Sequence, residues 1–177
     1  MLEAWTDASS LVTVFTGSSQ TYDDVLQGVA FGGRFLSEEY YEACVAHFHE
    51  TAHFWQAIST NFCSEYSRQQ MHCALAFVEQ LSAGNAAENP STYFSALETL
   101  MNDRGPNGVH VLDVIEGSAV FVAYRLCTYE PTHDAYLQYL RETHRGQRRY
   151  SRAYTYLAER IGGAAFSLFS VLCYRAL

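Results

Sequence analysis

Lysine is absent from the 177-residue chain, and all 11 basic residues are arginine. A P-loop grips phosphate with a lysine, and pyridoxal enzymes form a Schiff base with a lysine amine. Both enzyme classes are therefore excluded. Acidic residues outnumber basic ones, 19 to 11, and the chain has a net charge of -8. Nucleic-acid binding draws its affinity from clustered positive charge, so we expect no nucleic-acid partner.

Long apolar runs and cysteine pairs are missing as well. No stretch reaches the roughly 18 apolar residues of a membrane span, and the N-terminus MLEAWTDASS lacks the basic and apolar segments of a signal peptide. The five cysteines form no CxxC pair, which argues against a disulfide framework and against a four-cysteine zinc site. We expect a cytoplasmic protein with reduced, mostly buried thiols and no membrane partner.

Composition and patterning predict one domain over residues 1–177. A content of 49% hydrophobic and 15% aromatic residues is sufficient for a substantial core. Residues 1–35 combine a β-branched run, 11–15, with Gly17, Gly28, Gly32 and Gly33, which is typical of short strands and turns. From residue 36 the pattern becomes helical. The sequence therefore predicts a mainly α fold, with a helical core at 36–177 and a small extended or strand-rich cap at 1–35.

Capping residues and breakers divide the helical core. Ser37, followed by two acids, predicts the first N-cap, and prolines at 90 and 131 precede later helices. The helices are expected at about 37–60, 64–82, 91–103, 109–128, 131–145 and 148–174. The last one ends in an apolar stretch without a polar tail, which predicts either docking of that stretch, as in an oligomer, or a C-terminal continuation.

The segment His49-Glu50-Thr51-Ala52-His53 lies inside the first predicted helix. Residues four apart on a helix lie one turn above each other, so His49 and His53 can direct their imidazole nitrogens at one metal ion. Glu50 lies about 100° around the helix, where it can reach a metal-bound water. The pattern predicts a zinc site at which Glu50 is the general base.

Two histidines leave a zinc ion short of protein ligands. The metzincin extension needs glycine at position 56 and histidine at position 59, but the chain has Gln56 and Ser59 there. Glu116 is the better third ligand, because it is the isolated acid of an apolar stretch. The small residues that follow it, at 117, 118, 119 and 123, would allow its helix to pack closely against the motif helix.

This combination resembles the gluzincin class of zinc metallopeptidases, which bind zinc through His-Glu-x-x-His on one helix and a glutamate on a later helix. The resemblance covers two short segments, and Glu-Gly-x-Ala at 116–119 is similar to the start of many gluzincin second helices. It implies a helical zincin-like domain in which His49, His53 and Glu116 bind Zn²⁺ and Glu50 is the catalytic base. The implied activity is metallopeptidase-like hydrolysis of a peptide or other amide bond.

The chain departs from the gluzincin pattern at Val120, where some members carry an aspartate that orients a ligand histidine. Asp113 could take that role here, one turn before Glu116. On the motif helix, Glu42 and Gln56 share the stripe of the two histidines and are further candidates for contact with the ligands, although a solvated Glu42 is the simpler interpretation.

Tyrosine hydroxyls are candidates for stabilising the oxyanion of a tetrahedral intermediate. The candidates for this role are the tyrosines at 124, 150, 154 and 156. Tyr124 ranks first, because it follows Glu116 by two turns on what we take to be a similar face of the same helix.

Two other functions remain open. Glu50-x-x-His53 also fits a ferritin-like di-iron oxidase or oxygenase, with Glu42, Glu116 and Glu159 as further acids and iron in place of zinc. Against it, the second Glu-x-x-His, Glu130 to His133, contains Pro131 at a helix boundary. The third possibility is a metal-free helical interaction module whose aromatic faces bind a partner.

Overall fold

The computed structural model describes residues 3–7, 12–16, 23, 38–84, 91–102, 105 and 107–177. It confirms a mainly helical chain with a small antiparallel sheet near the N-terminus. The glycines predicted to form turns in the cap, at 17, 28, 32 and 33, and the predicted N-cap Ser37 lie outside the described residues.

The sheet consists of β1 (Glu3–Asp7) and β2 (Val12–Thr16), paired so that Trp5 lies opposite Val14. β1 also packs against the helix that carries the motif. The Thr6 hydroxyl donates a hydrogen bond of 3.1 Å to the backbone carbonyl of Glu50. The N-terminal sheet is thereby attached directly to the motif.

The helices follow the predicted order closely. They are α1 (Glu38–Ser59), α2 (Asn61–Ser82), α3 (Ser91–Asn102), α4 (Val111–Cys127), α5 (His133–Thr143), α6 (Arg148–Ile161) and α7 (Ala165–Ala176).

Two predicted boundaries are wrong. The second helix begins at Asn61 rather than at 64, because Thr60 adopts an extended conformation and its hydroxyl caps the amide of Cys63. The last predicted helix is not continuous, since Gly162 has a φ of 58° and starts a short 3₁₀ turn, Gly162–Ala164, between α6 and α7. A left-handed φ ends an α-helix, and glycine adopts it without steric cost.

α4 is the central helix and packs against α1 on one side and against α6 and α7 on another. Its second half contributes Phe121 to an aromatic core with Tyr136, Tyr154 and Phe169, all of which are fully or almost fully buried. In its first half, Gly117 faces α6, where a Cβ would lie 3.5 Å from the carbonyl oxygen of Tyr150. A Cβ at this distance would be in ordinary van der Waals contact, so α6 packs closely against this part of α4.

The cysteines are free, and four of the five are buried, as the composition predicted. The C-terminal stretch docks onto the start of α2, where Phe62 donates its backbone N–H to the carbonyl oxygen of Leu177 over 2.5 Å. Leu177 packs there with Cys63 and Ile115.

Within the described part of the chain, one stretch is long and apolar enough to cross a bilayer. It is Arg148–Ala176, whose most apolar window has a mean hydropathy of 1.2 and is 17% buried. It contains no uninterrupted run of 18 apolar residues, which is why the sequence pattern predicted no membrane span. One such stretch is weak evidence by length and composition alone, so the finding carries no membrane assignment.

Candidate metal centre

His49 and His53 lie one turn apart on α1 and direct the same ring atom to the same point. Their Nε2 atoms are 3.0 Å apart, and the rings meet edge to face. Both side chains are largely shielded from solvent, at 17% and 16% exposed. The predicted pair of imidazoles is therefore formed by α1 alone, without help from the rest of the fold.

α4 brings Glu116 to this pair. Glu116 Oε2 is 3.4 Å from His49 Nε2 and 3.5 Å from His53 Nε2. Ligand atoms bound to zinc at about 2.0–2.2 Å in a tetrahedron lie roughly 3.3–3.6 Å apart. The two distances to Glu116 Oε2 fall in this range and the Nε2–Nε2 distance of 3.0 Å is somewhat shorter, and the three residues form a group that could hold a metal ion.

Gln56 fixes the tautomer of His53. Its Nε2 donates hydrogen bonds to the Ile115 carbonyl at 2.9 Å and to Ser118 Oγ at 2.7 Å, so its Oε1 is the atom that faces His53 Nδ1 at 2.9 Å. A carbonyl oxygen only accepts, so this amide orientation makes His53 Nδ1 the donor. In the neutral ring the lone pair then lies on Nε2, directed at His49 and Glu116.

The same amide links the two helices that carry the ligands. Ile115 and Ser118, which accept from Gln56, flank Glu116 on α4, while His53 lies one turn before Gln56 on α1. Gln56 is 2% exposed, so its hydrogen bonds do not compete with water. The other stripe residue, Glu42, is exposed, in agreement with its solvated interpretation.

Electrostatics in this corner favour a cation among the three donors. Burial would raise the pKa of Glu116, but its hydrogen bonds to His49 and His53 and their charges hold that pKa well below the usual range. Burial likewise lowers the pKa of His53, and the hydrogen bond and charge of Glu116 outweigh it and raise that pKa. Two imidazole lone pairs and a carboxylate attract either a proton or a metal ion to their common centre.

Glu50 is buried, at 7% exposed, and lines the same cavity as the three ligands. Its Oε2 has no hydrogen-bond partner among the described residues. Burying a carboxylate oxygen without a partner is costly, and such atoms in native structures call for an explanation. A water or substrate proton at this atom would provide one.

Tyr124, the first choice for an oxyanion donor, is not brought to the ligands. It packs against Tyr136 and Tyr139 in the aromatic core and is absent from the described residues that line the cavity. The physical reason is helical geometry. A residue eight positions after Glu116 lies about 80° around the helix from it and about 12 Å farther along the axis. The expectation that the two residues share a face was wrong.

Tyr150, at the start of α6, lines the cavity instead. Its ring lies edge-on to His49 with centroids 6.1 Å apart. Burial, and then the carboxylates of Glu116 and Glu50, raise the pKa of Tyr150, so its hydroxyl remains a hydrogen-bond donor at neutral pH. The backbone of Tyr150 lies beside Gly117 of α4, which positions the ring next to the cavity.

Asp113 has a local task. Its carboxylate accepts the backbone N–H of His110 at 2.8 Å, which caps the start of α4. The orienting role that Asp113 could have had for a ligand histidine is filled by Gln56 for His53.

The cavity next to the ligands has a volume of about 330 Å³. One end holds the polar group formed by His49, Glu50, His53 and Glu116, and β1 contributes to the rim. The remaining wall is largely apolar and is contributed by the ends of α1 and α3 and the starts of α2 and α4. The arrangement can place a small organic group beside a metal ion and a free carboxylate oxygen.

Comparisons with protein-family models, with curated proteins and with solved structures find no match to this chain. Assignment of a function therefore depends on the site itself.

Proposed function

We propose that the protein is a zinc-dependent hydrolase that cleaves a peptide or other amide bond. The observation that carries the proposal is the convergence of His49 Nε2, His53 Nε2 and Glu116 Oε2, all within 4.8 Å of one another. Two imidazoles and one carboxylate are a ligand set of catalytic zinc, with a fourth position open to water or substrate.

Zinc in this site would polarise a substrate carbonyl and lower the pKa of a water molecule to about 7. Nitrogen donors also fit zinc better than Mg²⁺ or Ca²⁺, which prefer an all-oxygen shell. Zinc is therefore the metal we propose, and the gluzincin-like ligand set is what suggests it.

Glu50 is the proposed general base. Its unpartnered Oε2 accepts a proton from water as the water oxygen attacks the carbonyl carbon. When the carbon–nitrogen bond breaks, the same carboxyl group passes that proton to the leaving amine. Tyr150, which lines the same cavity and keeps its hydroxyl proton, is the proposed hydrogen-bond donor to the developing oxyanion.

The di-iron alternative gains no support from the described residues. Glu42 and Glu159 are exposed and lie outside the three-residue ligand group. His133 Nδ1 is hydrogen-bonded to the Tyr154 hydroxyl at 2.8 Å, and Glu130 is exposed, so this pair does not supply a second set of ligands. A metal-free interaction module would not explain the close spacing of the His49, His53 and Glu116 donor atoms, or the unpartnered oxygen of Glu50.

A direct test is hydrolysis by the full chain loaded with zinc. A mixture of peptides and simple N-acyl amides is incubated with the protein, and new amine and carboxylate products are identified by mass spectrometry. We expect amide cleavage that stops after a chelator removes the metal and resumes when zinc is restored. Zinc-loaded protein that releases no amine from any of these substrates would contradict the proposal.

A further inference from the structure

The cavity beside the ligands is divided into a charged end and an apolar end. Phe62 and Tyr66 form an aromatic wall on α2, where their rings stack with centroids 6.4 Å apart. Met101 from α3 and Leu112 and Ile115 from α4 complete the apolar end. Such a wall binds by excluding water from apolar surface rather than by directional hydrogen bonds.

Charge in the cavity comes from the ligand end alone. Glu50 and Glu116 are the carboxylates there, and no arginine is among the described residues that line the cavity. A zinc ion would balance these two negative charges and leave none over for an anionic substrate. A substrate carboxylate buried against the apolar wall would have no positively charged partner, and burying an unpaired charge is energetically costly.

The size of the cavity limits what can enter. A volume of about 330 Å³ lies at the lower end of small-molecule sites, which span about 300–1,000 Å³. This space suits one bulky apolar group next to the scissile bond rather than a long segment of substrate.

We propose that the substrate is a neutral amide carrying a bulky apolar group beside the scissile bond, and that substrates with a carboxylate in that position are rejected. This inference depends on the proposed function, because a zinc ion held by His49, His53 and Glu116 would fix the scissile bond at the charged end. The apolar group then lies between the aromatic wall and Met101.

Hydroxamates test the inference by binding, without any need for turnover. A hydroxamate binds zinc through its two oxygens, so the attached tail reports on the cavity. Three probes are compared by calorimetry with the zinc-loaded full chain: acetohydroxamate, hexanohydroxamate and a hydroxamate of equal length that ends in a carboxylate. Each buried methylene contributes up to about fourfold in affinity, so we expect hexanohydroxamate to bind at least about tenfold more tightly than acetohydroxamate. The carboxylate-ended probe should gain nothing over acetohydroxamate.

Two cavity variants locate the tail. Ala57→Leu fills part of the cavity and should reduce the affinity advantage of hexanohydroxamate over acetohydroxamate. Met101→Ala removes apolar contact and should weaken the binding of hexanohydroxamate by several-fold. Leu75→Ala is the control, because Leu75 is 53% exposed on α2 and lies away from the cavity. Acetohydroxamate affinity and zinc content, measured on each variant, show whether the ligand end is intact.

The outcomes separate the two proposals. Equal binding of all three probes, or tighter binding of the carboxylate-ended probe than of hexanohydroxamate, would overturn the apolar specificity while leaving the zinc site in place. The same conclusion follows if both cavity variants behave like Leu75→Ala. A protein that takes up no zinc and binds no hydroxamate contradicts the proposed function, and the substrate inference fails with it.

Discussion

Glu50 Oε2 and the Tyr136 hydroxyl are two of the three buried side-chain oxygens that lack a hydrogen-bond partner among the described residues, and their surroundings differ. Glu50 lines the cavity at the first half of α4, next to the ligand group. Tyr136 packs against the second half, where the rings of Phe121 and Tyr154 lie with centroids 5.0 Å and 4.6 Å from its own. One oxygen faces space that a molecule can enter, and the other is enclosed by aromatic rings.

This difference in surroundings distinguishes an unpartnered oxygen that indicates function from one that does not. In the aromatic core, burying the Tyr136 hydroxyl without a partner costs free energy, and the close packing of the rings outweighs that cost. Glu50 lacks this aromatic enclosure and lines a cavity, so a proton donor that enters the cavity would satisfy its oxygen. We therefore expect substitutions at the two positions to have opposite kinds of effect, on chemistry at one and on stability at the other.

The largest effect is expected from Glu116→Ala. Loss of one of three ligands should reduce the zinc content from about one ion per chain to a small fraction of it, and hydrolysis should disappear with the metal. Elemental analysis after dialysis against dilute zinc measures this. Glu159→Ala is the control, since Glu159 is exposed on α6 and matters only if the site holds two irons. Loss of metal in the control together with full zinc binding by Glu116→Ala would reverse the assignment.

Glu50→Gln should separate chemistry from metal binding. The amide has nearly the shape of the carboxylate but cannot act as a base, so we expect the rate of hydrolysis to fall by about 10²–10⁴-fold while zinc content stays at the wild-type level. Glu42→Gln on the exposed side of the same helix should leave both unchanged. Retention of full activity in Glu50→Gln would remove this residue from the mechanism.

A smaller effect is expected from Gln56→Met, which keeps the length of the side chain and removes its hydrogen bonds. Loss of an outer partner of a ligand histidine weakens metal binding by about 10–100-fold, because the ring is no longer held in one tautomer and orientation. Chelator competition measures the zinc affinity, and the visible spectrum of the cobalt-substituted protein reports any change in ligand geometry. Ser118→Ala is the matched control.

Ser118→Ala removes only one acceptor of the Gln56 amide and leaves the bond to His53 in place. Its zinc affinity should therefore fall less than that of Gln56→Met. Equal affinities in wild type and Gln56→Met, with an unchanged cobalt spectrum, would show that Gln56 serves packing alone.

The smallest effect is expected in the aromatic core. Tyr136→Phe removes a hydroxyl that has no hydrogen-bond partner in the described part of the chain, so the free energy of unfolding should stay within about 1 kcal/mol of the wild type or rise slightly. Denaturant unfolding measures the change. Zinc content and hydrolysis rate should be unaffected, and a loss of either would mean that the two regions are coupled through α4.

The sequence predicted the parts of the site that depend on local geometry. His49 and His53 are brought together by helical periodicity alone, and Glu116 stood out as an isolated acid in an apolar helix. The position of Tyr150 at the cavity was not predicted beyond its place among several tyrosines, because it depends on the packing of α6 against α4.

The network of Gln56 was only partly predictable. Its place on the ligand stripe was visible in the sequence, but its partners at 115 and 118 depend on the register of α4 against α1. The interruption at Gly162 was missed because glycine, even in the pair Gly162-Gly163, does not by itself set the sign of φ.

The most direct test of the metal centre is a crystal structure of the zinc-loaded chain with anomalous data collected at the zinc absorption edge. We predict one anomalous peak per chain, at about 2.0–2.2 Å from His49 Nε2, His53 Nε2 and a carboxylate oxygen of Glu116. A peak bound by other residues, or none at these three, would contradict the proposed zinc site.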